Sequence, residues 1–234
     1  GLPMASKAVP LLLWLALIVP AHAQDAAPLP AVAAPAAEAE APAVPPDLQA
    51  RIEAAETRDY TAARLALAAS PDYRPYAFAL RESALLDKWV ELLEDKKATP
   101  EEQQALVDTL ARELPLSYPA NSAIARWYAD RYEASEPRDP MLLEQGRPYY
   151  LALEGIIDSI TGSGDGRSQD TAWRVIHIGE EYLVLSYLEY EMVDRVLVFG
   201  TDGRPFDVFR VKDAEGKNRT VHFDVSLFYG KGGD

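Results

Sequence analysis

The chain has 234 residues and no cysteine, and 37 acidic residues against 23 Lys and Arg give a formal charge of −14. That length suits one domain or two small ones. The missing thiols exclude disulfides, thiolate zinc sites, iron–sulfur clusters, cysteine nucleophiles and a lipid-anchored cysteine. The acidity, with no Lys/Arg run to offset it, argues against nucleic acid and anionic lipid as partners.

The N-terminus reads as an export signal. Met4-Ala-Ser-Lys7 supplies a positive start, Val9 to Val19 is apolar apart from Pro10, and Pro20 precedes the small-x-small pattern Ala21-His-Ala23. The apolar run falls well short of the ~20 residues needed to span a bilayer. Residues 1–23 are therefore expected to be cleaved, leaving a periplasmic or secreted protein with no membrane span. Residues 24–46 hold ten alanines and six prolines. They cannot build a core and are expected to form a disordered linker, of roughly 70 Å at ~3.1 Å per residue in polyproline II.

Residues 47–161 read as a helical domain. Asp47 is expected to cap a helix from Leu48, and a second helix follows Asp59-Tyr60 with Leu65 at helical spacing to Ala62 and Ala69. Ser70-Pro-Asp-Tyr-Arg-Pro-Tyr76 is a turn. From Ala77 the residues Leu80, Ala84, Leu85, Trp89, Leu92 and Leu93 predict one apolar stripe. Thr99-Pro-Glu-Glu102 is a capping box with proline at the first helical position. The next helix, Asn121 to Ala134, sets Ala125, Tyr128, Ala129 and Tyr132 at offsets resembling a tetratricopeptide repeat, without its 34-residue period. A last helix opens at Asp139-Pro140, is expected to break around Gly146-Arg-Pro148, and resumes from Tyr149 to Ile160.

Residues 162–234 read as an antiparallel β domain. Gly162, Gly164 and Gly166 form a joint where positive φ is expected. Five strands are predicted: Thr171–Ile178, Glu181–Tyr190, Asp194–Phe199, Phe206–Val211 and Arg219–Phe228, with an Asp202-Gly203 hairpin turn between the third and fourth. The fold class is thus α+β, a repeat-like helical part followed by a five-stranded antiparallel meander. The sheet is expected to be covered by the helix ending at Ile160. In the fifth strand Val221, Phe223, Val225 and Leu227 form the buried row, opposite Thr220, His222, Asp224 and Ser226.

The chemistry is sparse. His222, Asp224 and Ser226 are triad residue types, but along one strand face they stand about 7 Å apart, too far for hydrogen-bonded relay. His177 alternates with Trp173 and Val175 and reads as packing. The glycine joint lacks the Lys-Ser/Thr ending of a phosphate loop. Asp165, Ser168 and Asp170 do not follow the calcium-loop order, and adjacent Glu180 and Glu181 signify little in so acidic a chain. No cofactor or metal is expected. Trp89, Trp127, Tyr128, Tyr132, Tyr149 and Tyr150 fit either a helical core or the wall of a groove for a protein partner. The candidate binding residues are Trp127, Tyr128 and Tyr132, with Asp165 and Arg167 at the joint.

The runs Ser163-Gly-Asp-Gly-Arg-Ser168, Thr171-Ala-Trp-Arg-Val-Ile176, Glu180-Glu-Tyr182, Phe206-Asp-Val-Phe209 and Phe223-Asp-Val225 resemble a family of exported bacterial proteins known only as a domain of unknown function. Asp59-Tyr60, Leu65 and Ser70 to Tyr76 fit it as well, and the resemblance spans about Asp47 to Tyr229. It implies a repeat-like helical part joined to a small C-terminal sheet in an envelope or secreted protein, and it supplies no catalytic residues to carry over. The long Ala/Pro linker departs from the family's short entry. The leading expectation is a non-enzymatic protein-binding or scaffold module, with another envelope protein as partner. An envelope hydrolase using acids near the glycine joint, and an inhibitor or immunity-type protein of an envelope enzyme, are the alternatives.

Overall fold

Prolines and short polar side chains set the helix starts. A computed structural model describes residues 43–231, so the expected signal and residues 24–42 of the linker lie outside the described residues. Helices α1 (Pro46–Thr57), α3 (Pro75–Glu94), α4 (Pro100–Glu113) and α6 (Pro140–Thr161) each open on proline. Its fixed φ suits the first turn, where its missing N–H would have no partner anyway. Helix α2 (Tyr60–Ala69) is capped by the Asp59 carboxylate, which accepts from Ala62 N–H, and α5 (Tyr118–Ala134) by the Ser117 hydroxyl, which accepts from Ala120 N–H. Both halves of the capping box at Thr99 and Glu102 form.

Three helical expectations are corrected. Asp47 does not cap α1; Pro45 holds that position and Asp47 lies in the first turn. The apolar stripe of α3 is only half covered: Leu85 and Trp89 are buried, while Leu80 is 73% exposed. Helix α3 packs chiefly on α4 and α5, which leaves Leu80 uncovered among the described residues. Helix α6 runs unbroken through Pro148. Its Gly146 lets the α5 backbone approach so closely that an added Cβ would lie 2.9 Å from Tyr128 Cβ. Packing along the whole helix outweighs one lost backbone bond.

The sheet has four strands and is mixed, not a five-stranded antiparallel meander. Its order is β1 (Trp173–Arg174), β4 (Asn218–Asp224), β3 (Pro205–Lys212), β2 (Glu191–Phe199). Strands β2 and β3 form the predicted hairpin, with Phe199 opposite Pro205 and Gly203 at φ +81° in the turn. The stretch expected as the second strand is helix α7 (Ile178–Tyr187). It buries Glu180, Glu181, Val184 and Leu185, a helical spacing, and the His177 ring nitrogen caps it by accepting from Gly179 N–H. With that segment helical, β1 shrinks to two residues and meets β4 in parallel, Trp173 opposite Phe223. Strand β4 ends at Asp224, and the chain turns from Val225 to Tyr229.

One face of the sheet shares a core with two helices. Phe209, Val211, Val221 and Phe223 pack with Ile156, Ile157 and Ile160 of α6 and with Val184 and Leu185 of α7. A second core, around Leu85, Trp89, Leu110, Ile124 and Trp127, holds α3, α4 and α5 together. In the glycine joint only Gly166 has positive φ, at +72°; Gly162 stays helical at −75°. Gly164 is needed for space instead, because an added Cβ would sit 2.1 Å from the Thr171 carbonyl oxygen. Among the described residues no helix is long and apolar enough to cross a membrane.

Candidate functional site

The five candidate residues fall in two unrelated places. Trp127 and Tyr128 are 4% and 7% exposed and belong to the helical core. Trp127 donates from its indole N–H to Gln103 at 2.9 Å and meets Trp89 and Tyr128 edge-on. Tyr132 is half-buried beneath the Arg138 guanidinium, 5.5 Å from its ring centre. Asp165 and Arg167 are exposed at the joint. There the Asp165 carboxylate accepts from Thr171 hydroxyl at 2.6 Å and Arg167 N–H at 2.9 Å, bonds that hold its pKa below the usual range and pin the loop.

A concave surface does form, between α1, the α4–α5 connection and α6. It is an open groove of about 330 Å³ whose lining includes Arg51 and Arg58 on one side and Tyr60, Asn121, Pro148 and Tyr149 around them. The tyrosines fix the arginines. Arg51 donates to the Tyr149 hydroxyl at 2.9 Å and lies 5.8 Å from that ring's centre. Arg58 lies 5.6 Å from the centre of Tyr60, within cation–π range. Burial raises the pKa of both phenols, each opposed by its arginine, so both rings stay neutral at physiological pH. Tyr128 stacks behind Tyr149 at 6.2 Å with planes 14° apart, so a candidate residue supports the groove from inside the core. Among the described residues no carboxylate lies within 4 Å of either Arg51 or Arg58.

The buried acids are arranged differently. Arg64, 2% exposed, donates from Nε to Glu180 Oε1 at 2.8 Å, from Nη1 to Ser159 at 2.7 Å and from Nη2 to the Arg174 carbonyl at 3.2 Å. Its Nη2 also meets Glu180 Oε2, which accepts from Ile176 N–H at 2.9 Å. The network ties α2, α6, β1 and α7 together. Glu180 also edges a cavity of only about 40 Å³ with His177 and Glu82, room for little more than water.

Glu181 is fully buried, beside Asp207 and 3.9 Å from Arg195. Burial, with Asp207 adjoining, pushes its pKa up to about 9. Neither Glu181 oxygen has a hydrogen-bond partner, while Arg195 ion-pairs with the neighbouring Asp207. Acid–base catalysis needs a carboxyl within reach of the substrate, but Glu180 and Glu181 are both buried in the core.

The triad residue types connect only in part. The chain turns beyond the end of β4 at Asp224, which brings Ser226 into contact with Asp224 against the expected separation, while His222 bonds elsewhere. Ser226 donates its hydroxyl to Asp224 at 2.6 Å, and His222 Nδ1 faces the Gly166 carbonyl at 3.2 Å. Among the described residues no three His, Cys, Asp or Glu side chains gather as metal ligands.

Sequence reasoning missed Arg51, Arg58 and Arg64. Only Arg64 carried a usable signal. It sits between Tyr60 and Ala68 at i±4 in an otherwise apolar helix, where a lone charge implies a buried partner. Nothing local distinguishes Arg51 and Arg58 from ordinary surface arginines.

Comparison with curated proteins and with solved structures gives no match. A family model described as "Domain of unknown function (DUF4919)" matches residues 56–231. The match takes in Arg58, Tyr60 and Tyr149 but begins after Arg51. The chain therefore belongs to the DUF4919 family of domains of unknown function.

Proposed function

We propose that the protein is an exported, non-enzymatic binding module of the periplasm or extracellular space. In this reading a repeat-like helical stack offers the groove along α1 to a segment of another envelope protein. The sheet holds α6, one wall of that groove, in place through their shared core. One observation carries the reading: the open concavity presents two guanidiniums with no carboxylate partner among the described residues, held over aromatic rings. Recognition surfaces are enriched in such Arg and Tyr side chains. The acids best suited to hydrolysis are sealed in the core, which weighs against the hydrolase reading.

The test is site-specific photo-crosslinking in the native cell. A photoreactive residue at Ala54, exposed on the groove wall, is expected to yield discrete protein adducts. The same residue at Glu215, in a hairpin turn, should not. Absence of adducts at Ala54 refutes the groove as the binding surface. Export is checked separately, by the mature N-terminus beginning at Gln24 in the envelope or culture fraction.

A further inference from the structure

We infer that the groove takes an acidic polypeptide segment, lying extended along α1 with two of its carboxylates on Arg51 and Arg58. The inference rests on the binding reading above and adds the chemistry of the partner.

Charge is the first argument. Eleven of the sixteen arginines among the described residues lie within 4 Å of a carboxylate, as an excess of acids makes easy. Among the described residues Arg51 and Arg58 have none, and both line one concavity. In a chain of formal charge −14, that leaves a local positive site whose natural complement is anionic.

Geometry supplies the second. Arg51 and Arg58 are seven residues apart, about 10.5 Å along a helix axis at 1.5 Å per residue. Same-side residues of an extended peptide recur at about 6.6 and 13 Å, a bracket that two long arginine arms can meet. The Tyr149 hydroxyl engages one N–H of Arg51. The rest of that planar fork remains for a carboxylate, which guanidinium grips in bidentate fashion.

The third argument is shape. The groove is open along its solvent side, whereas a small-molecule site buries most of its ligand. A chain segment, which needs cover on one side only, fits the opening. Its lining also includes Pro148, Ala152 and Ala111, small apolar residues that add no charge.

The probe is a fluorescein-labelled twelve-residue peptide of alternating Glu and Ala, titrated with the intact chain by fluorescence anisotropy at low salt. Controls are the Gln-for-Glu and Lys-for-Glu peptides. Saturable binding of the Glu peptide is expected, weakening as NaCl rises. A loss of at least tenfold is expected for the Gln peptide, and again for the R51Q/R58Q variant. Both arginines are exposed, so an unchanged unfolding midpoint verifies that this variant is folded. Failure of the Glu peptide to bind, equal binding of the Gln peptide, or full retention by R51Q/R58Q overturns the inference. The Ala54 adducts separate the two claims. If they persist undiminished in R51Q/R58Q, the groove binds but the acidic partner is wrong; if they never form, the binding reading itself fails.

Discussion

Replacing Arg64 by alanine tests whether the network at the junction of helices and sheet is structural. Arg64 and Glu180 are both about 3% exposed at their side chains. Removing the guanidinium leaves the Glu180 carboxylate buried with only Ile176 N–H as donor, and strips partners from Ser159 and the Arg174 carbonyl. Breaking a buried ion pair from one side costs about 3–5 kcal/mol. For a domain of this size, each kcal/mol lowers Tm by about 2–4 °C, so the expected fall is about 6–20 °C. The assays are thermal and urea unfolding, each followed by the fluorescence of Trp89, Trp127 and Trp173. Replacing both partners, Arg64→Leu with Glu180→Leu, removes the orphaned charge as well as the attraction. The double variant should therefore be at least about 2 kcal/mol more stable than the sum of the separate Arg64→Leu and Glu180→Leu losses predicts. Additive losses, or an Arg64→Ala variant within about 1 kcal/mol of wild type, would refute the account.

Glu181 gives a pH prediction. Its carboxyl titrates near 4.5 when unfolded and near 9 when folded. The folded state therefore holds the extra proton, and this group's contribution is complete below about pH 4.5 and declines as pH rises toward 9. Glu181→Gln, which keeps the shape of the side chain and cannot ionise, should flatten that decline and stabilise the protein by roughly 1–3 kcal/mol at pH 8; unfolding midpoints at pH 5.5, 7 and 8 measure it. Gly166→Ala combines φ of +72° with a Cβ placed 2.6 Å from the Trp173 ring, and should cost more than about 2 kcal/mol. Gly203→Ala, at φ +81° with open space around it, should cost only about 1–2 kcal/mol in the same denaturation assay. Thr99→Ala removes the capping box and should lower stability by about 1 kcal/mol.

Features encoded by neighbouring residues were legible before any coordinates. The box at Thr99 and Glu102, the helix start at Asp139-Pro140 and the Asp202-Gly203 hairpin each depend on contacts within a few residues, so the sequence states them directly. Two misreadings share one cause. The run from Ile178 to Tyr187 is apolar with no clean period, and such a run folds as helix or strand according to what packs on it. Here α6 and the sheet select a helix that buries Val184 and Leu185. Pro148 signals a break, yet close packing against α5 carries α6 through it.

The candidate site divides the same way. Sequence alone determined that the chain is acidic, free of thiols and poor in reactive constellations, because those are matters of composition. It also marked the tyrosines without saying which faced outward. Only the tertiary structure decided that Trp127 and Tyr128 turn inward while Tyr149 and Tyr60 meet Arg51 and Arg58 at a groove. The groove side chains lie as much as 98 residues apart. No local rule links side chains so distant; their meeting is set by how α1 and α6 bury their apolar faces.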